Sequence, residues 1–528
     1  MPIDRRHFLR LAPVAATVFC PTLLAADDDE SQPATISNGR APSQLRVLMT
    51  EADGSPLDKD RAATLCARDL ANDPLPLKIV RASGRARVEL PKEPIQISLR
   101  LKVSGFGEVF CWADNEGRGY TEPGNIDFVA HAAATRLRRV REIETLARRE
   151  GAVIDIATET LLRDAAQSIK DTPTAYAALA AGLHAGEQLT LARARNRIAK
   201  LAKSRKEFYF GCMISGYDHL GPTFEQRVRD RFNFATANWY TWGNEEPVAD
   251  RINYARMDAS LAWCKSHNIT PKGFGYCYMT RGATPEWLRS WSFEQISPEY
   301  ERVVEETMRR HPDLQYAEII NEAHDKSNLW RLSHEQILEI TRKVCAAARR
   351  GSPTVKRQIN NCCLWAEYVR TANSDGSRRW SPHRYIADCI ATGTEFEVIG
   401  LQLYYPQVDL MEIERMLDRF RAFNKPLHIT EIATASADGL DPASMRPKTA
   451  APGWHGPWSE ATQADWLEAI YTIVYSKPEF EAIGWWDLTD NPGHFWPHGG
   501  LLNADLAPKL AYARLGELQK SWGVALGS

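Results

Sequence analysis

Glu322 and Glu431 are the side chains whose type and setting point most directly to chemistry. Glu322 closes the run Tyr316-Ala317-Glu318-Ile319-Ile320-Asn321-Glu322, and Glu431 closes Pro426-Leu427-His428-Ile429-Thr430-Glu431. Both runs are apolar and β-branched, so each acid reads as the last residue of a buried strand. Packing alone rarely places an acid there, because a buried carboxylate is costly unless it is paired or used. Two such acids facing each other across a cleft are what cleavage of a glycosidic bond requires. With carboxyls about 5–5.5 Å apart, one protonates the leaving oxygen and the other attacks the anomeric carbon; a gap of about 6.5–9.5 Å leaves room for a water instead. The acid needs a pKa raised by partial burial or by its partner's charge.

Three neighbours extend the pair. Asn321, just before Glu322, is placed to hydrogen-bond a sugar hydroxyl beside the reacting carbon, or else is a satisfied turn amide. Gln402 and Tyr404 lie in Gly400-Leu401-Gln402-Leu403-Tyr404-Tyr405. There an amide and a phenol can hold Glu431 ionised and aimed, or the two tyrosines are aromatic core.

The elements that must position these groups follow from Phe208 onward. Short apolar runs at 208–214, 232–239, 273–278, 316–322, 358–363, 396–405, 427–432 and 483–489 read as strands. Segments with helical periodicity separate them, among them 250–267, 298–310, 333–350 and 463–476. Eight such βα units predict a (β/α)8 barrel over residues 206–528, with the site at the C-terminal ends of the strands. On this count Glu322 ends the fourth strand and Glu431 the seventh, on opposite sides of the barrel mouth.

Ahead of the barrel, residues 43–131 alternate apolar and polar positions in Leu45–Met49, Arg87–Leu90 and Ile95–Leu101. This predicts a small β-sandwich, either a carbohydrate-binding module or a structural domain packed on the enzyme. Residues 132–205 are rich in Ala, Leu and Arg and read as a helical connector. Its basic run (Arg136, Arg138, Arg139, Arg141, Arg148, Arg149) is interleaved with Glu142, Glu144 and Glu150 and reads as a solvated face, not a nucleic-acid patch.

The chain of 528 residues is 44% hydrophobic and 25% charged with net charge −2, a globular composition that gives no reason to expect nucleic acid or an anionic membrane as partner. Arg5-Arg6-His7-Phe8-Leu9-Arg10 resembles a twin-arginine export motif. It makes residues 1–26 a signal peptide and 27–42 a linker, with no membrane anchor after cleavage. The protein is therefore expected to be exported, periplasmic or extracellular. The ten cysteines show no CxxC and no metal-ligand spacing, and few or no disulfides are expected. His494 and His498 lack a recognisable third ligand, so no metal is assigned, and no cofactor is implied. Asp487 and Asp490 read as loop-fixing acids. His324 and Asp325 read as loop-shaping residues. His428, out of phase with Glu431, is expected to face the helical layer.

Ala317-Glu318-Ile319-Ile320-Asn321-Glu322-Ala323 resembles the acid/base motif of family 10 glycoside hydrolases, the endo-β-1,4-xylanases. Ile399-Gly400-Leu401-Gln402 resembles that family's sixth strand and Leu427–Ile432 its nucleophile strand. Trp486-Asp487-Leu488-Thr489-Asp490, Gly499-Gly500-Leu501-Leu502 and Pro508–Tyr512 resemble its C-terminal stretch. Phe232-Asn233 and Thr284–Leu288 fit the early strands. The resemblance implies Glu322 as acid/base, Glu431 as nucleophile, and Asn321, Gln402, Trp486 and Trp496 as sugar contacts.

The chain departs from the family pattern at three places. Asn238-Trp239-Tyr240-Thr241-Trp242 replaces a Glu-Asn pair and a Lys, Thr280-Arg281 replaces Trp-His, and Tyr404 replaces a His. Asn238, Trp239, Arg281 and Tyr404 are therefore expected in a reshaped sugar pocket. The resulting expectation is a secreted retaining glycoside hydrolase acting on xylan or a related β-linked polysaccharide. The alternatives are a glycosidase of another barrel family and a non-catalytic glycan-binding barrel whose sugar grip has eroded.

Overall fold

The computed structural model describes residues 43–201, 205, 207–239, 242–324, 328–370, 379–524 and 526. The expected export signal and linker lie outside them. The first elements are β1 (Gln44–Leu48), α1 (Lys59–Ala62), β2 (Cys66–Asp69), β3 (Ile79–Ala82), β4 (Arg85–Glu89), β5 (Ile95–Val103), β6 (Gly107–Ala113) and β7 (Gly124–Asp127). They form two sheets, ordered β3-β4-β1-β7 and β2-β5-β6. Leu45, Val47 and Val88 from the first sheet and Ile97, Leu99 and Leu101 from the second are buried in one core. The pairings are antiparallel except β1 with β7, which run parallel.

Three helices follow: α2 (Phe128–Glu150), α3 (Ile156–Ala165) and α4 (Thr172–Ala199). Asp127 starts α2 by accepting from the Val129 and Ala130 N–H groups, and Gly151 stops it in the left-handed conformation, φ 74°. The basic face of α2 departs from expectation. Arg141, Arg148 and Arg149 are exposed, but Arg136 and Arg139 are only 4% exposed. Arg136 donates to Asp409 at 3.0 Å, and Arg139 donates to Glu412 at 2.8 Å and Asp114 at 3.0 Å. These arginines read locally as a solvated face because Asp409 and Glu412 lie 273 residues on and Asp114 precedes the helix, all beyond the reach of a helical charge pattern.

The barrel strands are β8 (Tyr209–Met213), β9 (Phe234–Trp239), β10 (Thr270–Phe274), β11 (Tyr316–Asn321), β12 (Lys356–Asn361), β13 (Val398–Gln402), β14 (Leu427–Ile432) and β15 (Phe480–Trp485). Helices α5 (Gly221–Arg231), α6 (Trp242–Glu245), α7 (Ala255–Ser266), α8 (Phe293–Arg310), α9 (His334–Gly351), α10 (Pro382–Ala391), α11 (Leu410–Arg421), α12 (Glu460–Tyr475) and α13 (Leu510–Ser521) alternate with them. All pairings are parallel, and β15 pairs with β8 to close the cylinder. Asp409, besides receiving Arg136, caps α11 by accepting from the Met411 and Glu412 N–H groups. One buried carboxylate thus ties the helical connector to the barrel wall.

Bulges interrupt the ladder where the site is built. Register shifts fall between Glu318 and Ile320, between Leu401 and Gln402, and between Ile429 and Ile432. A bulge lets successive residues serve the same face. This corrects the expectation for His428. Its ring meets Phe234 at 5.9 Å and Tyr316 at 5.0 Å. Rings from β9, β11 and β14, which are not adjacent strands, can meet only inside the barrel. Strict alternation from Glu431 put His428 outside; the bulge breaks that alternation.

Candidate active site

β11 and β14 are wholly buried, so their ends emerge from the apolar wall at a defined height. Glu322 follows the last residue of β11 with φ 51°. A non-glycine residue held in the left-handed region costs of order 1–3 kcal/mol, and such residues concentrate at functional sites. The Glu322 N–H donates to the Asn360 carbonyl at 3.1 Å, anchoring the turn. The Tyr278 hydroxyl then donates to Glu322 Oε2 at 2.9 Å, and Gln402 Nε2 donates to Oε1 at 2.7 Å.

Glu431 is held from two sides. Tyr404 Oη donates to its Oε2 at 2.8 Å and Asn360 Nδ2 to its Oε1 at 3.2 Å. The same Asn360 amide also reaches Asn321 Oδ1 at 3.1 Å, and Gln402 Nε2 lies 3.4 Å from that oxygen. A continuous amide bridge therefore joins the two carboxylates. Thr430 donates to Asn360 Oδ1 at 2.6 Å and completes its hydrogen bonding. Gly400 makes room for this amide, since a Cβ there would lie 2.5 Å from Asn360 Oδ1.

Below the pair, Lys272 Nζ donates to Glu318 Oε2 at 2.9 Å, both side chains being essentially inaccessible. Burial raises the Glu318 pKa, and Lys272 opposes that shift. The Glu431 carboxyl is pushed well above the ordinary value, first by burial and then by the charges of Glu318 and Glu322; Lys272 and the Tyr404 hydroxyl pull it back. Carboxyls coupled this way share protons, one neutral while its neighbour is charged.

Of the residues expected at the site, Asn321, Glu322, Gln402, Tyr404 and Glu431 come together. Gln402 departs from one expectation: its amide holds Glu322, not Glu431. Trp496 is buried and stacks on Tyr404 with centroids 5.2 Å apart, and Trp486 packs on Phe274 at 5.3 Å. Asp487 fixes the loop between them, accepting the Phe495 and Trp496 N–H groups at 2.9 and 2.8 Å. Asp490 likewise accepts from Gly500 at 2.7 Å. His494 Nε2 sits 2.7 Å from Asp441 Oδ2, and the His498 N–H donates to the same oxygen at 2.7 Å, so both histidines serve loop geometry. His324 is buried and 2.8 Å from the Tyr368 hydroxyl. Arg281 is exposed on the loop after β10 and is not hydrogen-bonded to the carboxylate pair. The Asn238 and Trp239 side chains and Asp325 lie outside the described residues.

Sequence reasoning missed Tyr278, Asn360, Thr430 and the Lys272–Glu318 pair. A signal existed for two of them. Tyr278 ends its predicted strand as the glutamates do, and Gln358-Ile359-Asn360 places amides two apart in a strand whose faces are both covered.

The family model described as glycosyl hydrolase family 10 matches residues 198–517. Among solved structures, xylanase 10B from Thermotoga maritima is similar at 19% identity and TM-score 0.48, over 60% of this chain and 96% of that one. Xylanase 10B from Thermotoga petrophila RKU-1, solved with xylobiose, is similar at 19% identity and TM-score 0.48, over 62% and 97%. Xylanase 10C from Cellvibrio japonicus is similar at 15% identity and TM-score 0.47, over 62% and 69%. No curated protein matches the chain.

Proposed function

The chain belongs to glycosyl hydrolase family 10 and is a glycoside hydrolase, and from that premise we propose that it is exported and cleaves xylan or a related β-1,4-linked polysaccharide with retention of anomeric configuration. Glu322 is the acid/base and Glu431 the nucleophile. The observation that carries this reading is the amide bridge, Asn360 to Asn321 to Gln402, which holds both carboxylates at one rim with a donor on every carboxylate oxygen.

In the first step Glu322, protonated, gives its proton to the leaving glycosidic oxygen while a Glu431 oxygen attacks the anomeric carbon. The aglycone departs and a glycosyl ester remains on Glu431. In the second step Glu322, now ionised, takes a proton from water, the water oxygen attacks the same carbon, and Glu431 is released. Tyr404 and Asn360 aim Glu431 and stabilise its charge as the ester breaks. Gln402 Oε1 and Trp496 Nε1 are buried without a hydrogen-bond partner among the described residues. Sugar contacts at Asn321, Gln402 and Trp496 are what the family resemblance implies for this reading.

The test is hydrolysis of a panel of β-linked polysaccharides by the full chain, with product anomers followed by NMR. Retention with a β-1,4-xylan or related glycan is expected, and Glu431→Ala should abolish turnover while glycan binding persists. Inversion, or unchanged turnover in Glu431→Ala, refutes the assignment. Export is tested separately by replacing Arg5 and Arg6 with Lys and locating the protein, which should then stay in the cytoplasm.

A further inference from the structure

Away from the carboxylate pair, the described residues hold one group of three metal-competent side chains. His184, Glu187 and His455 present ligand atoms that all lie within 4.8 Å of one another. The first two sit one turn apart on α4, on one face of the helix. The third comes from the long loop after β14. Glu187 is buried at 1% exposure, and its Oε2 lies 2.8 Å from His455 Nε2. Its other oxygen accepts from the Leu410 N–H at 3.0 Å and from Trp454 Nε1 at 3.2 Å, which sets the carboxylate's orientation.

The His455 backbone is held in an unusual state to present its ring. Its φ is 58°, in the left-handed region that non-glycine residues uncommonly adopt. Its N–H donates to the Phe106 carbonyl at 2.8 Å, and its ring is packed between Trp454, with centroids 4.1 Å apart, and Phe106 at 4.7 Å. The two imidazoles lie with centroids 5.0 Å apart and ring planes tilted by 59°. The Glu187–His455 ion pair accounts for two of the three groups, and His184 brings a second imidazole nitrogen within 4.8 Å of both.

We propose that His184, Glu187 and His455 bind one Zn²⁺ ion, which clasps α4 to the loop that follows β14. Two imidazoles and one carboxylate are a borderline-soft ligand set suited to zinc, and three protein ligands leave a fourth position for water. With metal–ligand bonds of about 2.0–2.2 Å, the widest pair of ligand atoms has to draw together by only about 1.5 Å. Calcium and magnesium prefer all-oxygen shells and are the wrong ions for this site. The loop that carries His455 also carries Asp441, the acceptor for His494 and His498, so the clasp steadies the segment that bears Trp496.

The experiment uses the full chain stripped of metal by a chelator and titrated with ZnCl₂ by calorimetry, without substrate, so its outcome is independent of the hydrolytic reading. One equivalent of zinc should bind, and the thermal midpoint should rise with zinc. His455→Asn keeps a residue tolerant of positive φ and should weaken binding at least tenfold and remove the thermal shift, with far-UV dichroism unchanged. His498→Ala, the control at the other histidine pair, should bind as the parent does. Absence of saturable binding near one equivalent overturns the proposal. So does unchanged affinity in His455→Asn, loss of binding in His498→Ala, or equal binding of CaCl₂.

Discussion

Tyr404 Oη lies 2.8 Å from Glu431 Oε2 while the Tyr404 ring stacks on Trp496. One side chain thus links the candidate nucleophile to the Trp496 ring. The hydroxyl is also one of the two influences that lower the Glu431 pKa against burial. Tyr404→Phe keeps the stack and removes only the donor. We expect kcat/KM to fall by up to about 10²-fold through misaim of the carboxylate. With that lowering influence gone the Glu431 pKa rises further, so the acid limb of the pH profile should move to higher pH. Steady-state kinetics across pH check both; an unmoved acid limb would sink the argument.

Asn360 is the amide on which both acids depend, through Glu431 directly and through Asn321 and Gln402 to Glu322. Asn360→Ala strands several buried acceptors, each costing about 1–3 kcal/mol. We expect a lowered thermal midpoint together with about a 10²-fold loss in kcat. Asn360→Asp should be worse for activity than Asn360→Ala at neutral pH, because it adds a negative charge beside Glu431. Thermal melts and single-substrate kinetics on both variants give the comparison.

How much of this was legible in the residues follows from the range of each interaction. The barrel was readable because eight apolar runs of strand length recur between helical stretches. Glu322 and Glu431 stood out because a charge at the end of such a run has no packing reason to be there. Asn360, Tyr278 and Lys272 were hidden for the opposite reason: amides, phenols and paired charges are common in covered strands, and only coordinates show where they converge. His428 and Arg136 misled for geometric reasons. A bulge reset the strand phase for one, and for the other the partner acid is the residue that caps α11, invisible to local charge pattern.

Glu318 lies beneath Glu431 and, after burial itself, contributes the largest upward push on the Glu431 pKa, more than Lys272 takes back. Neutralising the pair together as Lys272→Met/Glu318→Gln avoids leaving a lone buried charge, which would be strongly destabilising. The double variant should show its acid limb at lower pH than the parent, since the net upward push is relieved. A kcat/KM profile between about pH 3 and 8 decides it; a limb displaced upward contradicts the electrostatic reading.

Arg136 and Asp409 join the helical connector to the barrel in a setting where both groups are buried. Such a pair adds little over a well-packed apolar substitute, but breaking it by one partner costs about 3–5 kcal/mol. Arg136→Met should therefore lower the thermal midpoint sharply. Arg136→Met/Asp409→Asn should recover much of the loss, because the uncompensated carboxylate is gone while an amide can still cap α11. Non-additivity of the two single changes in a double-mutant cycle is the readout.

Glu431 itself is a stability liability, and the sign follows from its pKa. Burial and the neighbouring carboxylates raise its value in the folded protein above that in the unfolded chain. The folded state therefore holds the proton more tightly. Its contribution is fully present below the unfolded value and is lost as pH rises through the folded value. Ionising this carboxylate in place therefore carries a cost, which the proposed role as nucleophile would require the fold to bear. Glu431→Gln removes that charge but keeps the shape and an amide for Tyr404 and Asn360. It should lose hydrolysis and gain stability, of order 1 kcal/mol, as expected where activity and stability trade off. Thermal midpoints measured from acid to neutral pH should show the variant and parent converging at low pH and separating as pH rises. A gap that is constant with pH would mean that the gain arises from packing and not from the charge.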